Sequence, residues 1–320
     1  MYKKALPLFI HVQTPLHVGT GSDVGTVDQP IQREKHTAYP KIESSGIKGC
    51  IRDVFEEIKG KEINGFGKVD ENDINLLFGP EETGDKGYAA ALGFSDARLL
   101  LFPVKSVKGV FAWITCPHVL KRLKKDLEIC SAFNQPADHG PLAEKFFQNV
   151  KSVPPAKSAA NLDKIKVADR QVIFEEYAFE VNEQTETKEF AEKLSKVLEN
   201  EDIKDKLVVL PDDIFKDFVQ LFTELITRTR IGSSGTVEPG ALFTEEYLPA
   251  ESILYSLVLV SPAFAEEEKK GRLKGESQVQ EVKNITGFFT KNLPEYLQIG
   301  GNATLGKGIV KVVAFENGCK

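Results

Sequence analysis

The sequence has little that would mark a secreted, zinc-binding or membrane-spanning protein. Among its 320 residues it has four cysteines, and Cys50, Cys116, Cys130 and Cys319 show no CxxC spacing. No apolar run approaches the ~20 residues that a bilayer span needs. The first residues, MYKKALPLFIHVQ, turn polar too soon for a signal peptide. We therefore expect a cytoplasmic protein without structural zinc, organic cofactor or membrane partner.

An excess of positive charge is also missing. The net charge is −6 and the pI about 5.6, which argues against binding of nucleic acid by overall charge alone and leaves a local basic surface as the alternative. Hydrophobic residues make up 41% and charged residues 28%, as in ordinary globular proteins. The chain is long enough for one large domain or two small ones.

Hydrophobic periodicity predicts strands and helices without regular βα alternation, which indicates an α+β fold. A strand is predicted from Leu6 to Val12, and a helix from about Ser44 to Gly60 with Ser44 or Ser45 as its N-cap. The segment 170–181 predicts one strand and 212–228 one helix. Residues near 155–165 are rich in Pro, Ala and Ser, and they mark a possible subdomain boundary.

Residues 17–53, HVGTGSDVGTVDQPIQREKHTAYPKIESSGIKGCIRD, place two aspartates ahead of several cations. A carboxylate beside a phosphate backbone is repelled unless a metal ion or a proton intervenes. Asp23 and Asp28 are therefore candidates for holding a divalent ion or deprotonating a ribose 2′-OH. Turn capping is the alternative for either aspartate. His17 and His36 are acid–base candidates, although a lone histidine more often has a structural role.

The helix that follows predicts a phosphate-binding surface. Lys48 and Arg52 lie four positions apart and share the face opposite the apolar stripe. The free N–H groups at the helix N-terminus, where Ser44 and Ser45 stand, also favour phosphate. The alternative is a solvated face in which Arg52 pairs with Glu56.

Two glycine-containing segments near the C-terminal half carry further candidates. The ending GGNATLGKG lacks the order of a nucleotide-binding P-loop and predicts a glycine-rich hairpin that contacts a sugar-phosphate backbone, or a plain surface turn. Residues 227–249, TRTRIGSSGTVEPGALFTEEYLP, predict a protruding β-hairpin whose apolar tip, ALF, wedges between bases, or an edge hairpin packed on a neighbouring subunit.

Together these motifs resemble the RAMP superfamily of CRISPR proteins. Within it, the block VDQPIQRE…P…SSGIKG…R is the most specific match, and the group it resembles is the Cas-seven-type backbone subunit, fourth subunit of type III-B (Cmr) effector complexes. The resemblance implies a single RAMP domain over 1–320. It also implies a ferredoxin-like, RRM-related core with inserted palm and fingers, and a thumb hairpin within about 225–250.

In that family, copies of the subunit stack along a CRISPR guide RNA beside the other Cmr subunits, and target RNA is cut at regular intervals with a divalent ion, Mg²⁺ or Mn²⁺. The resemblance assigns Asp28 as the catalytic residue and possible metal ligand. His17, Glu245 and Glu246 are supporting candidates. The predicted RNA-binding residues are Ser44, Ser45, Lys48, Arg52, Arg33, Lys41, Arg228, Arg230, Gly300, Gly301, Gly306, Lys307 and Gly308.

Two alternatives remain open. Some Cas-seven-type subunits only bind guide RNA, so the chain can be a non-catalytic filament subunit. The superfamily also contains metal-independent endoribonucleases that process guide RNA, and in those a histidine such as His17 or His36 would do the acid–base chemistry.

Overall fold

The computed structural model of the protein describes residues 2–22, 25–63, 67–81, 87–134 and 153–316. Asp23 therefore lies outside the described residues. The strands are β1 Lys4–Val12, β2 Lys41–Ile42, β3 Glu62–Ile63, β4 Gly67–Lys68, β5 Leu92–Phe94, β6 Ala97–Lys105, β7 Phe111–Thr115, β8 Ser158–Ala159, β9 Gln171–Phe174, β10 Tyr177–Glu180, β11 Asn182–Glu183, β12 Leu207–Val209, β13 Glu224–Ile231, β14 Val237–Tyr247, β15 Ile253–Val260, β16 Tyr296–Gln298 and β17 Ile309–Ala314. The α-helices are α1 Ser44–Glu57, α2 Glu71–Phe78, α3 Pro117–Phe133, α4 Leu162–Ile165, α5 Thr185–Leu198, α6 Ile203–Lys206, α7 Asp212–Leu221 and α8 Gln278–Asn292.

Most of the described strands form one mixed sheet of eleven strands. Its main path runs β11-β8-β12-β7-β6-β15-β1-β17-β16, and β2 and β5 pair with β6 and β15. Pairing is antiparallel except between β11 and β8 and between β12 and β7. The sheet confirms a mixed α+β fold rather than a doubly wound one. The predicted boundary near 155–165 stays a prediction, although β8 within it pairs with β12 of this sheet.

The predicted first strand and first helix are confirmed. β1 lies between β15 and β17, with His11 opposite both Ile253 and Lys311. α1 buries its apolar stripe, Ile47, Ile51 and Phe55, in the main core. Its N-cap is Glu43, and the helix has no side-chain cap, so the prediction of Ser44 or Ser45 as the cap is wrong.

Two predicted elements need correction. The helix predicted over 212–228 ends at Leu221, because the β-branched residues that follow favour β13. The single strand predicted over 170–181 is the hairpin of β9 and β10, which reverses at Glu175, a residue with φ 51°. Helical and strand periods both fit short apolar runs, which explains the first error. The second arose because the turn at Glu175 and Glu176 contains no Gly, Pro, Asn, Asp or Ser to mark it.

β13 and β14 form a separate two-stranded hairpin, as the sequence predicts for this region. Its turn lies at residues 232–236. The predicted apolar tip ALF is therefore misplaced, because residues 241–243 lie within β14, where Leu242 is 63% exposed. Among the described residues, no helix has both the length and the apolar character to cross a bilayer.

Candidate functional site

Asp28 lies at the base of this hairpin. After β1 the chain reverses direction and runs beside the edge of β14 that does not pair with β13. There Gln29 and Glu245 form a parallel bridge. The backbone N–H of Thr244 donates to Asp28 Oδ2 at 2.8 Å, and the N–H of Gln29 donates to the carbonyl of Thr244 at 3.0 Å. Asp28 is otherwise exposed. The structure thus fixes one carboxylate at the hairpin base and leaves it accessible, while its catalytic role stays a prediction.

Glu246 faces the segment that carries Asp28. Its carboxylate is buried and accepts hydrogen bonds from the N–H of Ile31 at 3.0 Å and from Thr223 Oγ1 at 2.8 Å. It also forms an ion pair with Arg33. Arg33 donates further to the carbonyls of Ala38 and Val219. Both charges are therefore used inside the protein.

Glu245 faces the opposite side of β14, toward the C-terminal glycine loop. It pairs with Arg228 and accepts from Tyr247 Oη at 2.6 Å and from Asn302 Nδ2 at 3.1 Å. Burial alone would raise the pKa of Glu245, but these hydrogen bonds and the charge of Arg228 outweigh it, so this pKa lies below its usual value. A buried carboxylate that is already paired has little capacity to approach RNA.

The sequence-based interpretation of Glu245 and Glu246 as supporting residues of cleavage stays a prediction, and the structure shows what surrounds their carboxylates. Each is buried and neutralised by an arginine of the chain. The same contacts occupy Arg33 and Arg228, which the sequence assigned to RNA. Arg230 differs, because its side chain is 78% exposed and its pairing with Glu238 is at 3.6 Å.

His17 is buried between two side-chain clusters, one around Glu246 with Ile31, Arg33 and Thr223, and one around Glu245 with Arg228, Tyr247 and Asn302. Its Nδ1 donates to the carbonyl of Glu246 at 2.7 Å, and its own carbonyl accepts from the N–H of Gly301 at 2.9 Å. A Cβ on Gly300 would lie 2.2 Å from that carbonyl oxygen. His17 therefore joins the β14 strand to the glycine loop. His36 is exposed.

The glycine loop is the hairpin between β16 and β17 that the sequence predicts. A Cβ on Gly308 would lie 2.0 Å from the carbonyl oxygen of Ile299, whereas one on Gly306 meets nothing within 4 Å. Close packing within the protein thus accounts for Gly300 and Gly308. Lys307 places Nζ 5.1 Å from the centre of the Tyr247 ring. Contact of this loop with RNA stays a prediction.

The N-terminus of α1 holds a carboxylate of the protein itself. Asp96 Oδ1 accepts from the N–H of Ser44 at 3.0 Å, and Asp96 Oδ2 pairs with Lys41 at 2.9 Å. Lys41 also pairs with Glu43 at 2.6 Å. These contacts occupy the donor and the cation that the sequence assigned to phosphate. Ser45 remains exposed.

Lys48 and Arg52 share a helix face but have different surroundings. Arg52 donates to the carbonyl of Gly79 at 2.7 Å and pairs with Glu56 at 3.6 Å and with Glu81 at 3.5 Å. Only 19% of its side chain is exposed, which supports the alternative interpretation of Arg52. Among the described residues, Lys48 has no hydrogen-bond or ion-pair partner. Its pKa lies below the usual value, mainly because the side chain is partly buried and secondarily because of the charge of Arg52.

A divalent ion would find few protein ligands among the residues that the structure describes. The described residues contain no group of three or more His, Cys, Asp or Glu side chains that could hold a metal. Mg²⁺ is commonly bound through one or two carboxylates, with water and substrate phosphates completing its shell. The exposed carboxylate of Asp28 fits this sparse mode but not a cage built by the protein alone.

Several residues of the site escaped the sequence interpretation. Tyr247 and Asn302 bind Glu245, Thr244 binds Asp28, and Asn302 has the left-handed φ of 63° that asparagine tolerates. The period-two pattern of the segment TEEY signals that adjacent glutamates face opposite sides of a strand. Their partners, from distant parts of the chain, leave no local signal.

Comparison with known proteins gives a consistent result over almost the full chain. The model of the RAMP superfamily matches residues 9–311. The CRISPR system Cmr endoribonuclease Cmr4 of Pyrococcus furiosus is 37% identical over 98% of this chain and 96% of its own length.

Solved structures agree in fold. The crystal structure of oligomeric Cmr4 from Pyrococcus furiosus aligns with a TM-score of 0.65 and 32% identity over 98% of both chains. A chain of the type III-B Cmr-beta complex bound to cognate target RNA aligns with a TM-score of 0.73 over 98% of both chains, and its 23% identity supports the fold alone.

Proposed function

The chain belongs to the RAMP superfamily, and we propose that it is a backbone subunit of a type III-B CRISPR effector complex that lies along guide RNA and cleaves complementary target RNA. Its similarity to a Cmr endoribonuclease over nearly the full length supports both parts of the proposal. The partners would be guide RNA, target RNA, further copies of the chain and other Cmr subunits. The finer fold would be a ferredoxin-like core with palm, fingers and a thumb, which is the β13–β14 hairpin.

The observation that carries cleavage is the position of Asp28. One exposed carboxylate is held by the N–H of Thr244 at the base of the hairpin. Bound RNA that lies against the hairpin would thus meet a carboxylate whose position is fixed by the backbone. Such preorganisation contributes to catalysis because the reacting groups need not be ordered during the reaction.

Asp28 would act on the ribose 2′-OH, whose oxygen attacks the adjacent phosphorus, so that a P–O2′ bond forms, the P–O5′ bond breaks and the 5′-oxygen leaves with a proton from water. Its carboxylate either accepts the 2′-OH proton or holds a divalent ion beside it. Mg²⁺ or Mn²⁺ would be held by Asp28, phosphate oxygens and water, and would stabilise negative charge on the phosphate. Cleavage would therefore depend on a divalent ion.

RNA would be held through its backbone. Lys48, Arg230 and Lys307 are the predicted RNA-binding cations that their contacts leave most available. Few cations per copy suffice when many copies bind one strand, because linked contacts raise the overall affinity. The net charge of −6 is compatible with this arrangement. Base pairing between guide and target would supply sequence recognition.

The test is single-turnover cleavage by the complex assembled with guide RNA and given complementary RNA and Mg²⁺. Asp28→Asn keeps an oxygen for the N–H of Thr244 but removes the charge. We expect at least about 100-fold slower cleavage with guide and target binding unchanged. Asp217→Asn, at an exposed position of α7, is the matched control. Undiminished cutting by Asp28→Asn contradicts the assignment of Asp28.

A second arm addresses the two alternatives. Removal of the divalent ion with EDTA should stop the cutting of target RNA. If the isolated chain instead cuts repeat RNA in EDTA, and His17→Ala or His36→Ala abolishes that activity, a guide-processing enzyme is indicated. If the assembled wild-type complex binds target but never cuts it, the chain is a binding subunit only.

A further inference from the structure

Glu246 connects the segment bearing Asp28 to the hairpin. Asp28 and Gln29 bond to the backbone of Thr244, and the N–H of Glu246 donates to the carbonyl of Gln29 at 3.0 Å. The backbone hydrogen bonds between this segment and β14 end there. The next N–H toward β14, that of Ile31, donates to the carboxylate of Glu246. We propose that Glu246 is a positioning residue that fixes Asp28 relative to the hairpin.

The carboxylate of Glu246 joins three parts of the molecule. Ile31 and Arg33 belong to the segment with Asp28, Thr223 belongs to the connection between α7 and β13, and Glu246 itself lies in β14. Arg33 extends the connection to the carbonyl of Val219 at the end of α7. Displacement of the hairpin base would therefore displace residues 28–33 as well. The proposal rests on the proposed function, since it matters for cleavage only if Asp28 acts on RNA.

Only a carboxylate satisfies this site. Ile31, Thr223 and Arg33 are all donors, and a carboxylate presents two oxygens that only accept. In Glu246→Gln, one oxygen becomes an NH₂ group that must face either the N–H of Ile31 or the guanidinium of Arg33, and neither of these can accept a hydrogen bond. Because the site is buried, water replaces the lost hydrogen bond poorly. The segment would loosen although the side chain keeps its shape.

The chain offers a closely matched control in Glu281. That carboxylate is also buried, accepts a backbone N–H from Ala263 at 2.7 Å, and pairs with the cation of Lys270 at 3.1 Å. It lies on α8 and belongs to neither cluster of the site. Glu281→Gln therefore creates the same kind of defect elsewhere, and any general loss of stability should appear in both variants.

The experiment compares Glu246→Gln, Glu246→Asp and Glu281→Gln in the assembled complex. We expect Glu246→Gln to slow single-turnover cleavage by about tenfold to 100-fold, because small misplacement of a catalytic group has such effects. Target affinity should stay within about threefold of wild type, and Glu246→Asp should recover part of the rate. In an Asp28→Asn background, Glu246→Gln should change the residual rate by less than about twofold. Glu281→Gln should cleave at the wild-type rate.

Hydrogen exchange tests positioning without reference to catalysis. Within residues 28–32, the hydrogen-bonded backbone amides of Gln29, Ile31 and Gln32 should exchange at least about tenfold faster in Glu246→Gln and at the wild-type rate in Glu281→Gln. Wild-type cleavage by Glu246→Gln, unchanged exchange at 28–32, or an equal loss in Glu281→Gln overturns the proposal. If Asp28→Asn cleaves normally, the proposed function fails by itself, while the exchange measurement still decides whether Glu246 holds the segment.

Discussion

Asp28 and Thr244 are 216 positions apart in the sequence and are joined by a hydrogen bond of 2.8 Å from the Thr244 N–H to Asp28 Oδ2. This bond ties the position of the carboxylate to β14 rather than to the backbone of the loop that carries Asp28. The base of the hairpin therefore determines where the candidate catalytic group lies. This geometry separates the effect of charge at position 28 from the effect of its placement.

Asp28→Glu tests placement, since it retains the charge and adds one methylene. The longer side chain cannot keep one oxygen at the N–H of Thr244 and also leave the other oxygen where the Asp28 carboxylate holds it. We expect single-turnover cleavage to fall by about tenfold to 100-fold with target affinity unchanged. A variant that cuts at the wild-type rate would show that the position of the carboxylate is not restrictive.

Lys48 and Arg52 should respond differently to removal of their charges. Lys48→Ala should weaken RNA binding equally for all sequences and reduce the slope of log K against log salt by about one. Arg52→Ala removes the bond to the Gly79 carbonyl, so we expect a loss of about 1–2 kcal/mol of unfolding free energy and an unchanged salt slope. Salt titration and denaturant unfolding of both variants measure these effects. A reduced salt slope in Arg52→Ala together with a loss of stability in Lys48→Ala would contradict the structure.

Glu245 should contribute stability that depends on pH. Its pKa is lower in the folded protein than in the unfolded chain, so its contribution is present above the unfolded pKa, about 4.3, and is lost as the pH falls through the folded pKa. Glu245→Gln should cost about 2 kcal/mol at pH 7, and this difference should shrink below about pH 4. Urea unfolding at several pH values measures it.

Glu238→Gln is the control for that measurement, because Glu238 lies on the same hairpin in a longer pairing with the exposed Arg230. Exposed pairs contribute little, so we expect less than about 0.5 kcal/mol at any pH. A difference for Glu245→Gln that persists unchanged to pH 3 would contradict the assigned cause.

Gly300 and Gly306 both have positive φ, of 78° and 69°, but different surroundings. Alanine at either position is strained by about 1–2 kcal/mol. Gly300→Ala should cost about 1–3 kcal/mol more, because its Cβ would overlap the carbonyl of His17, whereas Gly306→Ala meets open space. Thermal unfolding of the two variants gives the comparison, and equal costs would refute close packing at Gly300.

The local sequence pattern was sufficient to predict β1, the apolar stripe of α1 and the existence of the β13–β14 hairpin. Hydrophobic periodicity determines these features directly. The pattern also placed Lys48 and Arg52 on one face, but it could not show that the Gly79 carbonyl lies beside Arg52. The motif resemblance singled out Asp28, yet its anchoring by Thr244 depends on strand pairing across most of the chain. Tertiary partners of this kind have no local sequence signal.

The contacts that anchor the β13–β14 hairpin lie at its base, around Glu245, Glu246 and Tyr247, whereas its turn at 232–236 is far along the strands. Length and anchorage are therefore separable properties of this element. Two residues added to each strand next to the turn would keep every inward and outward side chain on its own face and extend the hairpin by about 7 Å. The distance that the hairpin spans can thus change, in natural or engineered relatives, in fixed steps that leave the carboxylate at its base undisturbed.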